Sequence, residues 1–117
     1  MEHLDNIFKK RERKHRRNYE IENKLYVELE KLSLIYEATI ADLVNTALEH
    51  MIKNEDIYIY KKDENEITVR YAVFIRESNI AGLEKLKEKY EISIFRLVNM
   101  AIHNMLKGMK AEDKKQL

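Results

Sequence analysis

The chain has no cysteine, no proline and only two glycines among 117 residues. Without cysteine, a disulfide framework and thiolate metal sites are excluded, and a reducing compartment fits. So little proline and glycine disfavours a turn-rich β fold, and helix is expected to dominate. No apolar run approaches the roughly 20 residues of a membrane span, and the first residues lack the apolar core of a signal peptide. A cytoplasmic protein without membrane contact is therefore expected. The length suits one compact domain, or two very small units sharing a core.

Charge is plentiful, at 37% of residues, and it is unevenly placed. Residues 1–18 hold Lys9, Lys10, Arg11, Arg13, Lys14, Arg16 and Arg17 against Glu2, Asp5 and Glu12, a net of +4. The remainder holds 15 basic and 18 acidic side chains, a net of −3. This asymmetry predicts a basic N-terminal arm, residues 1–15, on a near-neutral body.

The chain also contains itself twice. LEKLSLIYEATIADLVNTALEHMIK (29–53) lies over LEKLKEKYEISIFRLVNMAIHNMLK (83–107) without a gap, at an offset of 54, with 13 of 25 positions identical. So many matches in one register exceed what two unrelated amphipathic helices share, and they mark a duplication. In each copy the apolar spacing predicts two helices. Leu25, Leu29, Leu32 and Tyr36 form the first stripe of copy one. Ile40, Leu43, Val44, Ala47, Leu48 and Met51 form the second. Thr39 with Asp42 three residues later reads as a capping box between them; copy two keeps Ser93 but has Arg96 in place of the acid. Gly82, inside a helix of copy two, should cost about 1 kcal/mol relative to Ala.

Before the helices of copy two, ITVRYAVFIRES (67–78) alternates: Ile67, Val69, Tyr71, Val73 and Ile75 share one face of a strand. The repeat offset maps 70–76 onto RRNYEIE (16–22), where Tyr19 and Ile21 match Val73 and Ile75. Each copy therefore reads strand, helix, helix. The expected architecture is mostly α with a small β ribbon, in which 16–22 pairs antiparallel with 70–76 over four helices. Packing on those helices is what would hold so small a ribbon. The predicted organisation is an arm (1–15), copy one (16–53), a linker (54–66), copy two (67–107) and a frayed tail (108–117). Thirteen linker residues span up to about 43 Å. Whether the IYIY stretch of 57–60 adds a strand is open at this level.

This order, with a Ser/Thr-capped second helix carrying LVN-AL or LVN-AI, resembles the ribbon-helix-helix family of DNA-binding proteins, the Arc/MetJ class. The likeness is carried by 19–52 and 73–106, in two tandem copies. It implies that the ribbon enters the major groove of double-stranded DNA. The outward positions that would read bases are Arg16, Asn18 and Glu20 in copy one, and Arg70, Ala72 and Phe74 in copy two. Arginine suits guanine O6/N7, and asparagine suits adenine N6/N7. Ala72 and Phe74 would meet a thymine methyl, unless Phe74 folds into the core. Glu20 departs from the pattern, since phosphates repel an acid unless it accepts from a cytosine amino group or pairs with an arginine. The copies are taken to differ at every reading position, so an asymmetric site or two unlike half-sites is expected. The family's phosphate contact, at the start of the second helix, would fall on Thr39 and Ile40, and on Ser93 and Ile94. Arg11, Arg13, Lys14 and Arg17 would add contacts that ignore sequence.

Other residues invite blander readings. His3, His15, His50 and His103 show no ligand spacing and read as solvated. Met51 and Met105 read as core filler. Asn45 and Asn99 sit at matching helical positions, either exposed or bonded to each other near the pseudo-two-fold axis. No phosphate loop or nucleophile–base pattern appears, so neither an enzyme nor a cofactor is expected. The resemblance implies a transcriptional regulator, chiefly a repressor. The alternatives are an accessory protein at a plasmid transfer origin and, outside DNA binding, a protein-interaction module such as an antitoxin. Expected partners besides DNA are further copies of the chain in a cooperative oligomer, a relaxase or RNA polymerase.

Overall fold

The computed structural model describes residues 12–61 and 64–116, with side chains described to residue 109. Strand β1 (Lys14–Glu22) leads into helices α1 (Asn23–Tyr36) and α2 (Ile40–Asn54). Strand β2 (Thr68–Arg76) leads into α3 (Glu77–Tyr90) and α4 (Ile94–Gln116). The two strands pair antiparallel as one ribbon. Both start two residues before the expected positions, so Lys14 and His15 belong to β1 rather than to the arm. Among the described residues, none of the helices is long and apolar enough to cross a membrane.

The inward side of the ribbon packs on the helices through matched residues of the two copies. Ile21 and Ile75, Leu29 and Leu83, Val44 and Val98, and Leu48 and Ile102 are all buried. Each such side chain removed from water stabilises the fold by about 1.5–3 kcal/mol. Two members of the predicted stripes lie outside this core. Ile67, one residue short of β2, is 72% exposed, and its carbonyl instead accepts the Asn23 N–H at 2.8 Å. Tyr36, at the end of α1, is 57% exposed, whereas Leu25 and Leu29 earlier in the stripe are buried.

The capping prediction holds in both copies. Thr39 accepts the Asp42 N–H on its Oγ1 at 3.0 Å, and Ser93 accepts the Arg96 N–H on its Oγ at 3.3 Å. Helix C-termini show the cost of scarce glycine. Glu37, Glu55 and Glu91 occupy the left-handed position that usually takes glycine, with φ of 51°, 47° and 54°. Gly82 has a positive reason to be glycine. A Cβ there would lie 2.7 Å from Ile52 Cδ1 and 2.8 Å from Ile52 Cγ2, so its absence lets α3 approach α2.

The segment between Asn54 and Thr68 forms no strand among its described residues, which answers the question left by IYIY. Its residues 56–60 are instead laid along α4. Asn104 Nδ2 donates to the Asp56 carbonyl at 3.1 Å, and Tyr60 stacks on His103 with centroids 4.2 Å apart. His103 is therefore half-buried, not solvated, and its Nδ1 has no hydrogen-bond partner among the described residues. His15 is also half-buried and lies 3.5 Å from Glu77 Oε1. The expected frayed tail continues as helix to Gln116.

Candidate nucleic-acid interface

Pleating sends alternate side chains of a strand to opposite faces, and the six residues expected to face outward do so. Arg16, Asn18, Glu20, Arg70, Ala72 and Phe74 are all exposed. Phe74, at 57% exposure, lies outside the core. In the observed register Arg16 stands opposite Phe74, Asn18 opposite Ala72 and Glu20 opposite Arg70. Since Asn18 and Ala72 are also equivalents at the repeat offset, the pseudo-two-fold axis passes between them. Arg16 and Arg70 exchange across that axis, which corrects one expectation: the copies share an arginine at this position and differ only at the other two.

Two buried asparagines hold this ribbon flat on its helices. Asn99 Oδ1 accepts the Glu22 N–H at 2.8 Å, while its Nδ2 donates to the Glu20 carbonyl at 2.8 Å and to Phe95 O at 2.9 Å. Asn45 repeats the pattern on the other strand. Its Oδ1 accepts the Arg76 N–H at 2.9 Å, and its Nδ2 donates to Phe74 O at 3.0 Å and to Ala41 O at 2.9 Å. A primary amide offers the same donor and acceptor as a peptide group. Each asparagine thus satisfies strand-edge groups that the partner strand leaves unpaired. The two are neither exposed nor bonded to each other, so both earlier alternatives are replaced by a clamp on the strand of the opposite copy. Asn79 Nδ2 adds a bond to Asn45 Oδ1 at 3.0 Å.

A second pair of contacts also crosses between copies. Glu66 Oε1 accepts the Lys24 N–H at 2.8 Å at the start of α1, and Glu12 Oε1 accepts the Ser78 N–H at the start of α3. Glu12 and Glu66 are equivalents, as are Lys24 and Ser78, so each first helix has its N-terminus capped by a carboxylate of the other repeat, where the helix dipole favours an anion.

These clamps also place the second helices. Asn45, in the second turn of α2, ties that helix to the ribbon end carrying Arg16 and Phe74, and Asn99 ties α4 to the end carrying Glu20 and Arg70. Thr39 and Ser93 are exposed at those helix starts, with Ile40 and Ile94 half-buried beside them. Of the basic residues expected near phosphates, Arg13, Lys14 and Arg17 are exposed on or just before β1, and Arg11 lies outside the described residues. Two cations outside the expected set stand beside them. Arg96 is exposed in the first turn of α4, where copy one has Asp42. Arg76 stands opposite Lys14 and lies 3.4 Å from Glu49 Oε2. The signal for Arg96 was visible, since it is the residue that breaks the second capping box. One ribbon end thus carries its charge on the strands, through Lys14, Arg16 and Arg76. The other pairs Arg70 with an opposing Glu20 and carries its extra cation on the helix.

Aromatic hydroxyls brace the inner side. Burial, then a hydrogen bond to Tyr71, pushes the Tyr26 hydroxyl well above its ordinary value, and these two rings lie 4.4 Å apart. Burial, followed by the hydrogen bond to Glu22, raises Tyr60 likewise. Between Glu22, Tyr60, Arg96 and Asn99 a cavity of about 30 Å³ has room for roughly one water. The candidate interface is the open face of the ribbon with the two helix starts that flank it. Comparison with family models, curated proteins and solved structures found no match to this chain.

Proposed function

We propose that the chain binds double-stranded DNA by laying the exposed face of its ribbon in the major groove, and that it regulates transcription by occupying a promoter. One observation carries this reading: a two-stranded ribbon pinned to its helices by two buried asparagines, whose outward residues Arg16, Asn18, Glu20 and Arg70 are exposed and make no side-chain hydrogen bond or ion pair among the described residues. Polar side chains on a hydrogen-bonded ribbon that face solvent rather than a protein partner are suited to hydrogen-bond base edges. A ribbon of this width fits a groove about 12 Å wide. The two helix starts flanking it offer N–H groups to phosphates on either side. The resemblance to the ribbon-helix-helix family supports the same conclusion, as does the basic character of residues 9–17.

Fluorescence anisotropy with labelled duplexes tests it. Affinity should fall steeply with salt, because each neutralised phosphate contributes about −0.9 to the slope of log K against log salt. Removing residues 1–11, which hold Lys9, Lys10 and Arg11, should lower that slope by at most about 3. Arg70→Ala should weaken binding to the best site by about 1–3 kcal/mol with little effect on unrelated duplexes. A parent chain that binds no duplex, selected or random, would refute the proposal.

A further inference from the structure

The asymmetry of the ribbon face carries the reading further. The strand-edge groups of Phe74 and Arg76, and of Glu20 and Glu22, are taken by Asn45 and Asn99 rather than by the facing strand. The outward residues therefore form the non-hydrogen-bonded kind of pair, in which facing Cα atoms lie about 4.5 Å apart. Paired residues at that distance work on the same one or two base pairs. The face is then three such pairs in a row: Arg16 with Phe74, Asn18 with Ala72 on the pseudo-axis, and Glu20 with Arg70.

The shared arginine sets what the two halves have in common. Arg16 and Arg70 are related by the axis and stand four residues apart along the ribbon, about 13 Å. At about 3.4 Å per base pair, that is roughly four steps of DNA. What differs is each arginine's neighbour. Phe74 offers only apolar surface, which matches the C5-methyl of thymine. Glu20 offers only acceptors, which match the cytosine amino group; the acceptors of guanine and thymine repel it, and at adenine the N6 donor stands beside an N7 acceptor that does the same. No ion pair joins Glu20 to Arg70 among the described residues, so the carboxylate is available. At the centre, Asn18 fits adenine N6/N7, and Ala72 leaves space for the methyl of a thymine.

We propose, resting on the DNA-binding reading, that the target is an interrupted palindrome read in one orientation only. Two guanines on opposite strands, about four base pairs apart, are read by Arg16 and Arg70. A thymine beside the first faces Phe74, a cytosine beside the second faces Glu20, and an A·T pair lies between. A dimer of identical chains would be forced to read two equal half-sites. This chain, having both copies on one polypeptide, is not.

Selection of bound sequences from random duplexes, with the full chain and with Glu20→Phe and Phe74→Glu, tests this. Both substitutions lie on the exposed face, and thermal unfolding checks that the fold is kept. The parent should enrich unlike half-sites. Glu20→Phe should enrich a site with thymine in both halves, and Phe74→Glu a site with cytosine in both. Each variant should discriminate by about 5- to 100-fold against the parent site. A symmetric site for the parent, or variants whose preferred site is unchanged, would overturn the proposal while leaving DNA binding intact. No enrichment by any of the three proteins would overturn base reading by the ribbon, and this inference with it; failure to retain any duplex, selected or random, would overturn DNA binding itself.

Discussion

Replacing Asn99 by alanine tests whether the amide clamp is what holds the ribbon to the helices. The substitution strips the partner from the buried Glu22 N–H and from the Glu20 carbonyl. Phe95 O, the third contact, also serves its own helix, so it loses little. A buried donor left unsatisfied costs about 1–3 kcal/mol, and the more exposed carbonyl falls at the lower end of that range. With the small void added, a loss of about 2–4 kcal/mol is expected, a large share of the stability of so small a domain. For a chain of this length the midpoint of thermal unfolding should drop by roughly 6–16 °C. Urea unfolding followed by far-UV circular dichroism measures the loss directly, with an unchanged m-value if the denatured state is unaffected. Asn99→Asp sharpens the test. Its carboxylate still accepts from Glu22 but faces the two carbonyls to which the amide donated, so the folded state should raise its pKa above the ordinary Asp value of about 3.9. That variant should be least stable at neutral pH and should regain stability as pH falls and the carboxyl takes up a proton. A loss below about 0.5 kcal/mol for Asn99→Ala, or no pH dependence beyond the parent's for Asn99→Asp, would refute the clamp.

Other perturbations follow from single contacts. Glu37→Gly should stabilise the fold by about 1 kcal/mol, because the left-handed conformation costs a non-glycine residue about 1–2 kcal/mol and glycine returns part of that as chain entropy; a lower urea midpoint would contradict it. Gly82→Ala should destabilise, since crowding of about 1–3 kcal/mol against Ile52 outweighs the roughly 1 kcal/mol gained in helix propensity. A double-mutant cycle with Ile52→Ala should show the two changes to be non-additive. Hydrogen bonds from Lys89 and then from Tyr90 hold the Glu55 carboxyl below its ordinary value. Its contribution is present above the unfolded carboxyl pKa and lost as pH falls through the lower folded one. An NMR titration should find the midpoint depressed in the parent and returned towards the ordinary range in Lys89→Gln.

How far the sequence predicts this molecule depends on what kind of contact is in question. The duplication, both strands and the capped second helices are legible because each leaves a periodic or repeated trace. The outward face is legible for the same reason, since period-two alternation alone separates Arg70 from Val69. The pairing across the ribbon is not. An offset of 54 relates Arg16 to Arg70, yet which residue stands opposite Arg16 depends on where the axis falls. The asparagines show a second limit. Asn45 and Asn99 occupy core positions of their helices, and a polar residue there is intelligible only when the strand edge it serves is in place. His103 shows a third, being covered by an aperiodic segment that carries no pattern pointing to α4. Tyr36 and Ile67 fail differently: each continues an apolar rhythm past the point where the core ends.

The reciprocity of the clamps bears on assembly. Asn45 of the first repeat and Glu12 just before its strand serve the second, and Asn99 of the second and Glu66 just before its strand serve the first, so neither repeat is complete alone. Every one of these contacts can equally be made between two molecules that exchange halves. What favours self-closure is the tether from Asn54 to Thr68, which presents one repeat to the other at an effective concentration in the millimolar range typical of short tethers. Below that concentration the chain closes on itself. Shortened until it cannot span the gap, the same sequence would keep all its contacts and make them as an exchanged dimer.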